Sequence, residues 1–213
     1  MEIPTQAFEK RFEYTKADLK LIEIGLNLMS KSKDATHDLL HTSRTWTDLV
    51  KFKSDSMNDR IRVDYRAVTH ALIHHDIYKA GLKRSTHGIN LLTEELVEGY
   101  QSMKIFERHA NQVDLDKKTK ETAMAAIRDH GLIHLPRFLN ESKLLFDLDE
   151  LDFWNLHRFR TGLNFFNYDV GRQINTAMAY LDFRTKNGFY FEWSKQQFDE
   201  RKKSFLQEFG PKK

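Results

Sequence analysis

Thr69-His-Ala-Leu-Ile-His74-His75-Asp76-Ile-Tyr-Lys79-Ala-Gly81 is the stretch that decides how this chain is read. Ala71, Leu72, Ile73 and Ile77 recur at helical spacing and predict the apolar heart of a helix over about residues 60–79, which Gly81 can end. Three ionisable side chains, His74, His75 and Asp76, fall in the middle of that apolar run. A carboxylate beside an imidazole in a dry helix is unfavourable unless each group is hydrogen-bonded or bound to a cation, and one divalent ion satisfies both. His75-Asp76 is therefore a candidate ligand pair. A second His-Asp step occurs at His37-Asp38, so the surroundings must decide.

Working outward, the 213 residues suit one domain spanning 1–213, with a site-bearing core over about 34–160. Hydrophobic residues make up 40% and charged residues 31%, against only 3 Pro and 9 Gly, a balance that favours long helices over turn-rich sheet and predicts an all-α fold. With 0 Cys, disulfides and thiolate sites are excluded, and any metal must be held by His, Asp or Glu. The first ten residues lack a basic-then-apolar signal pattern, and no run approaches the roughly 18 apolar residues of a membrane span. A soluble, cytoplasmic protein with no membrane partner is expected. The net charge of +3 comes from interspersed acids and bases. No basic stripe interleaved with aromatics is present, so no nucleic-acid partner is expected.

Upstream of the central stretch, a helix is predicted over about residues 9–30, packed onto the body by Phe8, Phe12 and Tyr14. Next comes His37-Asp-Leu-Leu-His41-Thr-Ser-Arg44, with Asp34 or Thr36 available to cap the helix start. His37, His41 and Arg44 follow the i, i+4, i+7 rule and share a face. On spacing alone that face reads either as part of a site or as a surface histidine pair.

Downstream, Ser85 or Thr86 can cap a helix carrying Ile89, Leu91, Leu92, Leu96 and Val97, which sets His87 in its first turn, at the loop end nearest His75-Asp76. A further helix from near Asp116 to His130 buries Ala123, Met124, Ala126 and Ile127. His130, at its end, reads as a ligand or as a residue that only stabilises the helix dipole. From Ser142 the chain runs Lys-Leu-Leu-Phe-Asp147-Leu-Asp149-Glu-Leu-Asp152-Phe-Trp, with Asp149 and Asp152 on one face. A last helix over about residues 189–209 carries Phe189, Phe191, Trp193, Phe198 and Phe205 as a packing edge. His70, His74, His109, His134 and His157 add no spacing information and read as structural or surface histidines.

Taken together, His41 with Arg44, then His75-Asp76, then an Asp in an acid-rich Leu/Phe helix, resembles the HD-domain superfamily of metal-dependent phosphohydrolases. The likeness runs from about His37 to Asp152. It looks closest to the small stand-alone bacterial-type HD hydrolases whose last ligand lies in an Asp-x-Asp-x-Leu-Asp segment, here Asp147-Leu-Asp149-Glu-Leu-Asp152. Their closing helix is echoed by the segment from Asp199 to Phe209. The resemblance implies a single HD-type helical bundle with a helical C-terminal extension, and His41, His75, Asp76 and Asp149 as metal ligands. It implies that His87 and His130 help bind a second metal or the substrate phosphate. Tyr78 stands where many members have Gly, Thr45 where Val is usual, and Glu150 where Arg is common.

Such a ligand set suits a divalent transition metal, one or two per chain, and does not choose among Mn, Fe, Co, Ni and Zn. Arg44, one turn from His41, and Lys79, three residues after Asp76, are placed to hold phosphate charge, and His37 to contact substrate or support a ligand. The expected activity is hydrolysis of a nucleotide or other small phosphate ester or anhydride by a metal-activated water. The alternatives are a di-iron HD-type oxygenase, which follows if His87 and His130 complete a two-metal site, and a non-catalytic nucleotide-sensing module.

Overall fold

The computed structural model describes residues 12–82, 88–131, 137–165, 178–179, 181–183, 185–186 and 188–209, with side chains omitted at 88–92, 95 and 165. Among these, every regular element is helical: α1 (Lys16–Met29), α2 (Leu39–Ser54), a 3-10 turn (Ser56–Asn58), α3 (Tyr65–His74), α4 (Ile77–Ala80), α5 (Gly88–Ala110), α6 (Lys117–Asp129), α7 (Asn140–Phe153), α8 (Leu156–Phe165) and α9 (Glu192–Phe209). The fold is all-α, as the composition predicts. No helix among the described residues is long and apolar enough to cross a membrane.

α3 is the axis of the bundle. It packs against α1, α2, α5, α6 and α7, which its sequence allows because Ala67, Val68, Ala71, Leu72 and Ile73 leave no exposed face. Leu49 and Phe52 of α2, Phe106 of α5, Ala123, Ala126 and Ile127 of α6, and Leu144, Leu148 and Leu151 of α7 close the main core around it. Phe12, ahead of α1, is buried in the same core and stacks on Tyr65; Phe8 lies outside the described residues. Trp154, Leu181 and Phe205 form a separate cluster under α9. Asp147 fastens the entry to α9 by accepting the backbone N–H groups of Tyr190 and Phe191, at 3.0 Å each for the closer oxygen. Burial pushes this carboxyl up to about 7, although those N–H groups favour its ionised form.

Caps fix most of the helix starts. Thr15 and Asp18 make a reciprocal capping box on α1. Asp18 is fully buried and also accepts from His70 Nε2 at 2.8 Å and Arg66 Nε at 2.9 Å. Burial opposes its charge, but His70, Thr15 and Arg66 hold it below the usual carboxylate range. One buried acid thus ties α1 to α3. Arg66 reaches on to Asp116, the cap of α6, at 2.9 Å.

Two boundaries differ from the sequence reading. The helix after the first loop is capped by Asp38, whose carboxylate accepts the His41 N–H at 2.9 Å. It therefore starts at Leu39, and His37 precedes it instead of sharing its face. The central helix is shorter than residues 60–79. Asp64 caps it, and the regular turn is lost at Asp76 (φ −101°, ψ 8°) before α4 resumes. The break has a local cause: His75 Nδ1 donates to the Leu72 carbonyl at 2.8 Å, so a side chain competes for the helix ladder where the ligand pair sits.

Gly99 is required by close approach. A Cβ there would stand 2.4 Å from the His130 carbonyl oxygen and 2.6 Å from that of Arg128, both backbone atoms. The absent side chain lets α5 lie directly against the end of α6, which brings Glu98 toward His130. Gly99→Ala is expected to lower stability by up to about 2 kcal/mol, because the clash is with backbone oxygens and overpacking at the upper end of about 1–3 kcal/mol exceeds the roughly 1 kcal/mol that alanine gains in a helix. Gly131→Ala, where a Cβ would meet nothing within 4 Å, should shift the urea midpoint by less than half as much.

Candidate metal centre

Four elements each bring one or two groups to one point. His41 lies in the first turn of α2, His75 caps the end of α3, Asp76 follows at the break, and Asp149 lies on α7. All four are buried, and they offer ligand atoms that lie within 4.8 Å of one another. His41 Nε2 and His75 Nε2 are 3.2 Å apart. Asp76 Oδ2 stands 3.2 Å from the first and 3.0 Å from the second, and Asp149 Oδ1 stands at 3.5 and 3.9 Å.

The far side of each imidazole fixes what the near side presents. His75 Nδ1 faces the Leu72 carbonyl, which can only accept, so a proton sits on Nδ1. His41 Nδ1 likewise donates to Asp152 Oδ2 at 2.7 Å. Both Nε2 atoms then turn toward two carboxylates. Asp76 is 1% exposed, and neither of its oxygens has a hydrogen bond of ordinary geometry among the described residues. Two imidazole nitrogens and two carboxylates facing inward, with the Asp76 oxygens unbonded, are a donor set that fits a cation. The group can hold a metal ion.

Electrostatics agree. Burial works against a charged His75, but Asp76 and Asp149 outweigh it and lift the group to about 10. Burial likewise opposes charge on Asp76, which the protonated His75 nevertheless holds well below the usual carboxylate range, and Asp149 is held low by His75 and Arg158. In the ion-free protein an extra proton on His75 therefore balances the carboxylates.

Asp152 is the brace of the site. Besides His41 it accepts a two-pronged contact from Arg44, Nε at 2.7 Å and Nη2 at 2.9 Å, and lies 3.3 Å from Arg158 Nη1. The structure thus places Arg44 on the carboxylate that orients a ligand. Lys79 is 3% exposed and its Nζ lies 2.6 Å from Glu98 Oε2. His37 Nδ1 is 2.8 Å from Asp34 Oδ2, and its Nε2 is 4.0 Å from Asp76 Oδ2. His130 Nε2 stands 3.8 Å from both Asp76 Oδ1 and Asp149 Oδ2, on the opposite side from His37's Asp76 contact atom. With Glu98 and Asp76, His130 makes a second buried group that can hold an ion. His87 lies outside the described residues. His70 and His74 belong to the core, on Asp18 and on the His70 carbonyl respectively.

Sequence reasoning missed Arg158, Glu98 and Asp34. Arg158 is 4% exposed, packs 4.0 Å above the Phe153 ring, and also reaches Asp149 Oδ1 at 3.3 Å. No periodicity links α8 to α7, so no sequence signal marks it.

Comparison with protein-family models, curated proteins and solved structures finds no match to this chain.

Three outcomes follow from the geometry and charge of the site. Asp76→Ala should abolish metal uptake. Asp152→Asn should keep the stoichiometry but weaken affinity about 10- to 100-fold, because it loosens the His41 ring without removing a donor; competition with a chromophoric chelator measures both. Because His75 carries an extra proton below about pH 10 in the ion-free protein, ion uptake at pH 7 should expel about one proton, so affinity falls as pH falls. Titration calorimetry in buffers of different ionisation enthalpy reads this directly, and no proton release would contradict the assignment.

Proposed function

We propose that this chain is an HD-type metal-dependent phosphohydrolase that cleaves a nucleotide or another small phosphate ester or anhydride. The observation that carries the reading is the buried His41, His75, Asp76 and Asp149 donor set, with the Asp76 oxygens unbonded, flanked by cations and by an oriented imidazole. A divalent Mn, Fe, Co, Ni or Zn ion held by those four side chains would supply a water of lowered pKa and an electrophilic contact to a phosphoryl oxygen.

The chain's own groups supply the rest. His37 is held as a buried carboxylate–imidazole pair: Thr36 and Asp34 fix Nδ1, with Asp34 Oδ2 at 2.8 Å. Burial keeps the ring below its ordinary pKa, against the pull of Asp76, so it is a neutral imidazole at pH 7. In this reading Nε2 takes a proton from the attacking water and returns it to the leaving oxygen as the P–O bond breaks. Arg158 Nη2 is buried without a hydrogen-bond partner among the described residues. A guanidinium fixed on two site carboxylates with one amino group unbonded is suited to a phosphoryl oxygen. Arg44 acts in this account as a positioning residue, through Asp152 and His41.

A second reading, the di-iron oxygenase, draws on the Asp76, Glu98 and His130 group. Oxygen dependence separates the two, since hydrolysis needs none.

The test is a screen of the metal-loaded protein over nucleotides and simple phosphate esters under anaerobic conditions, with phosphate and pyrophosphate measured separately. Release of either is expected. On the best substrate, His37→Asn should lower kcat about 100- to 10,000-fold with metal content unchanged, and Arg158→Lys should lower kcat/KM about 30- to 1000-fold. Unchanged kinetics in both variants would remove these assignments.

A further inference from the structure

Asp76 faces two ways. Its Oδ2 lies against His41 and His75, while its Oδ1 lies toward His130. The carboxylate is therefore shared between the four-residue group and the second group of Asp76, Glu98 and His130, whose ligand atoms also lie within 4.8 Å of one another and are all buried. His130 Nδ1 is buried with no hydrogen-bond partner among the described residues. Taken alone, that geometry invites a second ion beside the first.

A cation already stands there. Lys79 Nζ is 2.6 Å from Glu98 Oε2, with both side chains almost wholly buried at 4% and 1% exposure. The placement is set by the backbone. Lys79 is three residues after Asp76 on the short helix α4, the Ala80 N–H bonds the Asp76 carbonyl at 3.0 Å, and α4 packs on α5, the helix that carries Glu98. Gly99 lets that part of α5 press against the His130 backbone. The ammonium lies close enough to His130 and His37 for its charge to disfavour protonation of either.

Accepting the metal reading of the first group, on which this inference rests, we propose that Lys79 is the built-in counter-cation of the second group and limits this centre to one metal ion per chain. A second divalent ion held by Glu98 would have to share that carboxylate with the Lys79 ammonium or displace it, and in either case would set a buried ammonium next to two divalent charges. The arrangement removes the second metal that a dinuclear redox site needs, and it accords with hydrolysis. Lys79 in this account neutralises Glu98, in place of the phosphate contact expected from its spacing.

Metal content decides it. The purified chain is stripped with chelator, reloaded with excess Mn(II) and desalted, and bound manganese is counted by elemental analysis. The unaltered chain is expected to hold about one ion, with the six-line paramagnetic resonance spectrum of isolated Mn(II). Lys79→Met should hold about two, with the spectrum broadened by spin coupling, and Lys79→Met/Glu98→Gln should return to about one. Two ions in the unaltered chain would overturn the proposal, as would a folded Lys79→Met variant that still holds one. Should Lys79→Met fail to fold, Glu98→Gln in the unaltered background serves instead: no change from one ion supports the proposal, and a fall from two to one overturns it. Failure of the hydrolase reading looks different, because one ion per chain with no phosphate released from any ester would sink that reading and leave this one standing. A chain that takes up no ion overturns both.

Discussion

The site is organised around one buried carboxylate, Asp76, whose close partners are the imidazoles of His41 and His75. Asp76 is all but fully buried, has no hydrogen bond of ordinary geometry among the described residues, and sits where α3 loses its regular turn. Charged groups are rarely left so in a protein core, since desolvation costs several kcal/mol without compensation. Here the compensation is a ring of partners brought from four helices: His41, His75, Asp149 and, one layer out, Asp152 with Arg44 and Arg158. Each tightens the geometry of another. Arg44 holds Asp152, Asp152 holds His41, and the Leu72 carbonyl holds His75, so both Nε2 atoms are aimed before any ligand arrives.

The bundle supplies the rigidity this needs. α3 has no exposed face and is packed by five helices, so the end that carries His75 and Asp76 has a fixed position relative to α2 and α7. The second polar network, Asp18 with His70, Arg66 and Thr15, lies at the other part of α3 and locks α1 onto it. The two networks share a helix but divide the work. One is closed by hydrogen bonds among protein groups, and the other gathers two carboxylates and two imidazole nitrogens in a set that can hold a cation.

Much of this was legible in the sequence where the signal is local. Asp116 and His130 bracket α6 much as capping chemistry predicts, and His75 and Asp76 stood out because ionisable groups interrupt an apolar helical run, whereas His41 and Asp149 joined them as ligands only through the resemblance to HD-domain proteins. Local signals also misled. Asp34 looked like a helix cap, but its carboxylate accepts from Thr36 and pairs with His37, while Asp38 caps α2. The helical spacing of Ala71, Leu72, Ile73 and Ile77 hid the break at Asp76, because the break comes from a side chain competing with the backbone ladder. Arg158 and Glu98 were invisible for a different reason. They reach the site through packing of α8 and α5, and neither a periodicity nor a motif reports a contact made only in three dimensions.

His41, His75, Asp76 and Asp149 can hold a metal ion, and anomalous diffraction from a crystal grown with the metal-loaded protein shows whether they do. A peak is expected at about 2.0–2.2 Å from His41 Nε2, His75 Nε2 and one oxygen each of Asp76 and Asp149. A metal-loaded crystal with no peak among those atoms, or with its only peak elsewhere in the molecule, would contradict it.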